Sequence, residues 1–426
     1  MNPSKERISL DIIAKGFEKI RTVHDGAVAF VSYTFHDLQS ALITSIEWKP
    51  SIPEIERERI ARQATFAAGE KGPITKDTLL SAIWKSESSY LALPSKTFVV
   101  VFSLSLKYTK ELKKMLVDSA RISFHSEIPK RFQVKATGRP WDPQVPANAF
   151  PKAYTVACVC VSARSAISAE YKAMSAIEIF RGVLNFVINR RKIASFHIGG
   201  SSKWEAINEI RLGTSHTVQS SDGVLEKEGI WSTVYDVHPA PSYCHQKLPE
   251  IIKTARKQLR RSMRVPYSDD MHRMWMRYAN ALDRRDLDAS FLKLWSLLEF
   301  VTGTNGERYD ETIRRTLFIC DDRDFHKTML EHLRDRRNSL VHSDDNSPQV
   351  EHHVFQVKSY VEEFLRLHLA HAGRFKTRAA FGEFLGLPPD LDHLEDRVRV
   401  YKHAIFFRKG TLEFGKKINA TNSQKG

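Results

Sequence analysis

The chain has 426 residues and a formal net charge of +15, which is long enough for two or three domains and strongly basic. The charge favours a polyanionic partner, above all nucleic acid, and less strongly an acidic membrane surface. No apolar run approaches the ~18 residues of a membrane span, the first residues lack a signal-peptide pattern, and four cysteines without a CxxC pair disfavour a disulfide framework. We therefore expect a cytoplasmic protein that makes no membrane contact.

The first 240 residues mix the periodicities of helices and strands, which predicts a mixed α/β region. Helices are predicted at 8–20, 54–69, 75–88 and 168–190, and strands at 28–35, 97–106, 120–126, 154–161, 195–198, 216–218 and 230–237. Residues 137–151 are rich in proline and predict an irregular loop. We find no Walker loop, no GxGxxG after a strand and no HExxH in this region.

A break at Pro239-Ala-Pro-Ser242 separates this region from an almost wholly helical one. Helices are predicted at 248–263, 268–282, 287–302, 310–319, 325–342, 348–371, 377–384 and 391–407, followed by a polar, frayed end at 409–426. The expected class is therefore α+β. We divide the chain into a mixed α/β domain at 1–240, a helical bundle at 249–371 and C-terminal helices with a tail at 372–426.

The helix at 248–263 and the residue after it carry six basic side chains, which are Lys253, Arg256, Lys257, Arg260, Arg261 and Arg264. Such a helix is suited to following the phosphates of RNA. An ordinary solvated surface explains the same pattern, and the sequence leaves both interpretations open.

The stretch Arg-Arg-Asn-Ser-Leu-Val-His, from Arg336 to His342, ends the helix predicted at 325–342. Asn338 and His342 are four residues apart and share one face. Arg337 is five residues before His342, about 140° away around an ideal helix. One ideal helix therefore cannot aim both side chains at one atom, so either the helix loosens at its end or two copies of the stretch share a cleft.

Arginine, asparagine and histidine together suit RNA cleavage. A histidine that titrates near neutrality can move the proton of the 2′-hydroxyl or of the leaving oxygen. A guanidinium can hold a phosphate by two hydrogen bonds, and an amide can orient either partner. The same residues also fit a surface arginine cluster with a histidine that caps a helix end.

Two further residues are possible supports for this group. Glu299 lies on the helix expected to pack beside the motif helix, and a buried carboxylate there needs a partner such as Arg337 or Arg334. It would orient Arg337 or form an ordinary ion pair of the bundle. Several histidines crowd the region, but His352 and His353 are adjacent and point to different sides of a helix, which disfavours a metal site.

The string RNSLVH resembles the R-x4-6-H signature of HEPN ribonuclease domains, and SFLKLWSLLEFVTG, Ser290 to Gly303, is similar to a run in the Apea-like HEPN group. The resemblance implies a helical bundle that pairs with a second copy as a homodimer. It also implies a metal-independent endoribonuclease, without cofactor, in which Arg337, Asn338 and His342 are catalytic and the 2′-hydroxyl of RNA attacks.

The resemblance further implies a toxin or an anti-phage abortive-infection effector. The first 240 residues would then sense a trigger or hold the nuclease inactive, with a possible inhibitory or activating protein partner. Two alternatives remain open. The chain is a non-catalytic HEPN module that binds RNA or a protein, or the first 240 residues carry an activity of their own.

Overall fold

The computed structural model describes residues 9–133, 150–190, 192, 206–232, 240–304, 309–342, 350–388 and 390–422. Within these ranges the chain forms thirteen α-helices and two antiparallel sheets, so the predicted α+β class is confirmed. No helix in them combines the length and the hydrophobicity needed to cross a bilayer. The predicted strand at 195–198, most of the loop at 137–151 and the end of the strand at 230–237 lie outside the described residues.

The chain divides into two compact units. The first contains Met1–Val187 and Asn208–Arg256, and the second contains Ile188–Ile207 and Lys257–Gly426. The domain boundaries expected near residues 240, 249 and 372 stay predictions.

The first unit begins with four helices and a hairpin. These are α1 (Leu10–Ile20), β1 (Arg21–His24), β2 (Ala27–Phe30), α2 (Thr34–Ser45), α3 (Glu54–Glu70) and α4 (Lys76–Ala92). Asp25 and Gly26 join the two strands and have φ of 50° and 78°, as the favoured two-residue hairpin turn requires. The strand predicted at 28–35 is wrong beyond Phe30, because buried Phe35, Gln39 and Leu42 follow the helical period.

The first unit also contains a six-stranded antiparallel sheet. Its strands are β3 (Lys96–Leu104), β4 (Met115–Val117), β5 (Ala120–His125), β6 (Thr155–Ala163), β7 (Ser215–Ser220) and β8 (Leu225–Ser232), in the order β4-β5-β6-β3-β7-β8. Strand β3 lies between β6 and β7, and consecutive residues of its Val- and Phe-rich run are buried, so both of its faces are covered. Helix α5 (Ala166–Asn189) contacts the sheet where Phe180 meets Phe124, with ring centroids 5.0 Å apart.

From residue 248 onward the described chain is helical, as predicted. The helices are α6 (Leu248–Ser262), α7 (Ser268–Leu282), α8 (Leu287–Val301), α9 (Tyr309–Thr316), α10 (Arg323–His342), α11 (Val350–Ala370), α12 (Arg378–Leu385) and α13 (Leu391–Asn422). The prediction was wrong for the last helix, which continues past residue 407 to Asn422. Gly410 and Gly415 weaken a helix without ending it, and no proline follows them.

Helix α12 packs against the end of α8. Gly303 follows α8 with φ of 72°, a left-handed conformation that favours glycine. Arg378 donates to the carbonyl oxygen of Phe300 at 2.9 Å, and Arg315 donates to that of Thr302 at 2.9 Å. A Cβ on Gly382 of α12 would lie 3.1 Å from the same Thr302 oxygen, so the two backbones approach closely here.

A buried ion pair lies on α11. Lys358 Nζ is 2.9 Å from Glu362 Oε1, and both side chains are less than a tenth exposed. Lys358 also donates to the carbonyl oxygen of Asn189 at 2.9 Å, and the hydroxyl of Tyr278 donates to Glu362. Burial lowers the pKa of Lys358 and raises that of Glu362, while the attraction between them opposes both shifts. The pair therefore ties α7, α11 and the end of α5 together.

We predict that Lys358→Met lowers the free energy of unfolding by about 3 kcal/mol, because Glu362 is left buried without its cation. Urea denaturation measures the effect. Lys358→Met/Glu362→Leu should recover most of the loss. Lys327→Met is the matched control, since exposed Lys327 also faces a carboxylate four residues on, Glu331, and should cost under about 1 kcal/mol. Equal stability of Lys358→Met and the wild type would contradict the prediction.

Candidate functional site

The sequence motif occupies the last two turns of α10. The helix ends at His342, which places that residue in the final turn as predicted. The side chain of His342 and residues 343–349 lie outside the described part of the chain. The site is therefore defined by the side chains of Arg337 and Asn338 and by the backbone position of His342. Helix α10 is continuous between them, so the expected angular separation of about 140° applies.

Arg336 anchors the motif helix. Its side chain is 6% exposed, and its Nη2 lies 3.1 Å from Oδ1 of Asp288 in the first turn of α8. The sequence interpretation gave Arg336 no role. The sequence carried a signal for this burial, because Arg336 is three residues after Leu333 and four before Leu340, which is the spacing of one helix face. Leu333 on that face is fully buried. A charged residue in such a row calls for a buried partner.

Arg337 turns towards α9. Its guanidinium carbon lies 4.8 Å from the ring centroid of Tyr309, and its Nη1 donates to Asn338 Oδ1 at 3.3 Å. Among the described side chains, no carboxylate forms an ion pair with Arg337. An aromatic face orders a guanidinium without neutralising its charge. Arg337 and Asn338 are thus held together, and the arginine keeps its positive charge. Tyr309 is a contact that the sequence interpretation missed.

Glu299 is buried on α8 and accepts a hydrogen bond from Nε1 of Trp295 at 2.8 Å. Burial raises its pKa, while that hydrogen bond and the charge of Arg337 act to lower it. The charge of Arg337 therefore acts on Glu299 over a distance, and the two side chains do not form an ion pair. Of the two arginines expected as alternative partners of Glu299, Arg334 instead binds Asp310 and Asp335.

Arg334 binds two other carboxylates. Its guanidinium lies 3.0 Å from Asp310 at the start of α9 and 3.2 Å from its neighbour Asp335. Arg334 is two residues before buried Arg336, about 200° around the helix. Because α10 turns Arg336 towards α8, the side chain of Arg334 points away from α8. The result is an exposed ion pair, which contributes little to stability.

Two histidines meet between α10 and α11. Nε2 of His332 lies 3.1 Å from Nε2 of His353. The pKa of His353 is lowered to about 4, first by burial and then by the neighbouring His332, Arg336 and His352. In the part of the chain that the structure describes, no group of three or more His, Cys, Asp or Glu side chains is placed to hold a metal ion.

Helix α6 presents its basic residues on one side. Seen down an ideal helix axis, the five that lie within α6 fall within an arc of about 140°, and Arg264 follows the end of the helix at Ser262. Of the six basic side chains five are exposed, and half-buried Arg256 donates from Nη1 to the carbonyl oxygen of Lys113 at 2.8 Å. The opposite side of α6 is buried through Leu248, Ile252, Ala255 and Leu259. The predicted RNA-binding residues Lys253, Arg256, Lys257, Arg260, Arg261 and Arg264 therefore form one basic face.

The chain matches no protein-family model, no curated protein and no solved structure. The site is consequently described by its own residues. It consists of a charged arginine stacked on tyrosine, an amide in contact with that arginine, and a histidine at the end of the same helix.

We predict that the protein loses stability as the pH falls from 7 to 5, in part through His353. Its pKa is about 4 in the folded protein and about 6.5 in the unfolded chain. The unfolded chain therefore binds the proton first, and the stability present above pH ~6.5 is lost progressively down to pH ~4.

His353→Gln should reduce this loss by about 1–2 kcal/mol between pH 7 and 5, as measured by urea denaturation at each pH. Part of the pH dependence of the free energy of unfolding should remain, because fully buried His368 also has its pKa lowered to about 4. If the free energy of unfolding of His353→Gln changes with pH as much as that of the wild type, His353 makes no contribution.

Proposed function

We propose that the chain is a metal-independent endoribonuclease of HEPN type. The supporting observation is that Arg337 is held against Tyr309 beside Asn338, in the turn of α10 that precedes His342. The 2′-hydroxyl of RNA attacks the adjacent phosphorus, and the 5′-oxygen leaves. The products carry a 2′,3′-cyclic phosphate and a 5′-hydroxyl.

Arg337 stabilises the negative charge that develops on the non-bridging phosphate oxygens. A guanidinium can donate two parallel hydrogen bonds to a phosphate, and ordered donors reduce the cost of reorganisation in the transition state. Stacking on Tyr309 orders the group and preserves its charge. The contact between Nη1 and the Asn338 amide gives that amide the role of a positioning group.

His342 moves the protons of the reaction. As a base it takes the proton of the 2′-hydroxyl, and as an acid it gives a proton to the leaving 5′-oxygen. The carboxyl end of a helix favours the imidazolium form, which is the acid. Because Arg337 and His342 diverge by about 140° on one helix, we propose that a homodimer supplies the two groups to one phosphodiester from different copies.

The basic face of α6 is the proposed surface for the RNA backbone. Its side chains are arginine and lysine, which neutralise phosphates without reading sequence. The activity suggests a toxin or anti-phage effector in the cytoplasm, controlled by residues 1–240 or by a separate protein partner.

A second candidate is a module that binds RNA without cutting it. The observation favouring it is the basic face of α6, because binding through phosphates needs neither Arg337 nor His342. The ends of the RNA after incubation distinguish the two functions.

We predict that His342→Ala lowers the cleavage rate in EDTA by about 100-fold or more, the usual contribution of a general acid or base. Arg337→Lys should lower it by a similar factor, since lysine cannot donate as a fork. Arg334→Lys is the matched control on the same helix and should cleave at the wild-type rate. Circular dichroism checks folding, and the assay detects 2′,3′-cyclic phosphate ends. Undiminished cleavage by His342→Ala would refute the catalytic assignment.

We predict that Lys257→Ala/Arg261→Ala weakens RNA binding and lowers the slope of log affinity against log salt by about 1–2. The matched control is Lys15→Ala/Lys19→Ala, which removes two exposed charges at the same spacing from α1. Binding isotherms at several salt concentrations measure the slope. If both double variants change it equally, net charge rather than the face of α6 accounts for binding.

A further inference from the structure

Helix α13 is exposed over residues 391–410, the part in which the structure describes its side chains. It has 32 residues and is therefore about 48 Å long. Between residues 391 and 410, every side chain is exposed except that of Leu394, which is half-buried. Leu391, Val398, Tyr401 and Ile405 are between 49% and 66% exposed. Large apolar side chains in such a row indicate a surface that contacts another molecule.

The apolar residues of α13 follow a heptad pattern. Leu391, Leu394, Val398, Tyr401 and Ile405 are separated by three, four, three and four residues, which is the a/d spacing of a coiled coil. A helix that packs on a globular core commonly has a wider apolar face. This row, here called the α13 seam, has the spacing that fits a single partner helix, and the exposed side chains of Val400, Phe406 and Phe407 lie outside it.

The charges of α13 are divided along its length. Asp390 precedes the helix, and Asp392, Glu395 and Asp396 make its start acidic. Arg397 and Arg399 come next, and Lys402, Arg408 and Lys409 make the following part basic. A helix with one acidic and one basic end complements a second copy that runs in the opposite direction. A parallel copy would instead place Lys402 beside Arg397, two like charges at flanking e and g positions.

We propose that α13 pairs with α13 of a second copy as an antiparallel coiled coil. In the register that matches the α13 seam to itself, Val398 faces Tyr401 of the second copy and Leu394 faces Ile405. Arg408, the next seam position, then lies beside the acidic start of the other helix. Glu395 lies beside Lys402 of the second copy, and this ion pair occurs twice by symmetry.

This pairing goes beyond the proposed nuclease, which needs two copies only near α10. It rests on α13 alone, so loss of the α13 contact with intact RNA cleavage would leave the nuclease proposal standing, because its two copies meet near α10. Conversely, an inactive protein that self-associates through α13 would leave the coiled coil standing.

The full-length protein is tested by sedimentation velocity over a range of micromolar concentrations. We expect a concentration-dependent dimer. Val398→Glu places a charge in the α13 seam on each copy and should raise the dissociation constant about 100-fold or more. Val400→Glu is the matched control, because Val400 is 66% exposed on the same helix but lies outside the seam. It should leave the dissociation constant within a few fold.

Charge reversal tests the direction of the helices. Glu395→Lys and Lys402→Glu should each weaken the dimer, and the double variant should restore it. In a parallel pair, Lys402→Glu alone would tighten the dimer by facing Arg397, and that result would overturn the antiparallel arrangement. A monomeric wild type, or a Val398→Glu dimer as tight as the wild type, would overturn the pairing itself. So would a monomer that binds anionic phosphatidylserine vesicles and loses that binding on Val398→Glu.

Discussion

The orientation of the candidate site depends on the ion pair between Arg336 and Asp288. A buried guanidinium is costly unless a carboxylate or carbonyl meets it, so α10 cannot rotate about its axis without leaving a charge unsatisfied. Asp288 is itself held in the first turn of α8, where the Asp286 side chain accepts from its backbone N–H at 3.0 Å. With Arg336 turned inward, Arg337 meets Tyr309 and Arg334 meets Asp310, both on α9. The orientation of three neighbouring arginines thus follows from one contact.

Buried polar groups recur through the second unit and share one logic. Arg336 with Asp288 joins α10 to α8, and Tyr278 with Glu362 joins α7 to α11, so both contacts require the correct packing of helices. Lys358 with Glu362 and Glu299 with Trp295 are contacts within one helix that leave those carboxylates partnered. Such contacts add little net stability compared with apolar packing, but a misaligned helix would leave a buried charge without its partner. Arg337 differs from Arg334 and Arg336, because none of the described carboxylates forms an ion pair with it. A group of this kind suits an anionic ligand.

Periodicity predicted the helices and strands well because most of them bury one face. The sequence alone shows the buried row of α11 and the apolar run of β3. The errors came where two patterns competed. Residues 28–35 alternate like a strand, yet Phe35 and Leu42 bury helical positions, and the turn Asp25-Gly26 was overlooked. In the site, the grouping of Arg337 with Asn338 was accessible from spacing. The partners of Arg334 and Arg336 were not, because they depend on the rotation of α10 and on α9.

The contact of α12 with the end of α8 limits how the helical region can be dissected. A fragment that stopped at residue 371 would retain the motif but remove Phe381, whose ring centroid lies 4.0 Å from that of buried His368. It would also remove Arg378, which satisfies the carbonyl oxygen of Phe300, and uncover the glycine surface at Gly303. In such a truncated bundle, apolar side chains that α12 covers would be exposed to solvent. Recombinant fragments meant to isolate the motif should therefore extend through α12.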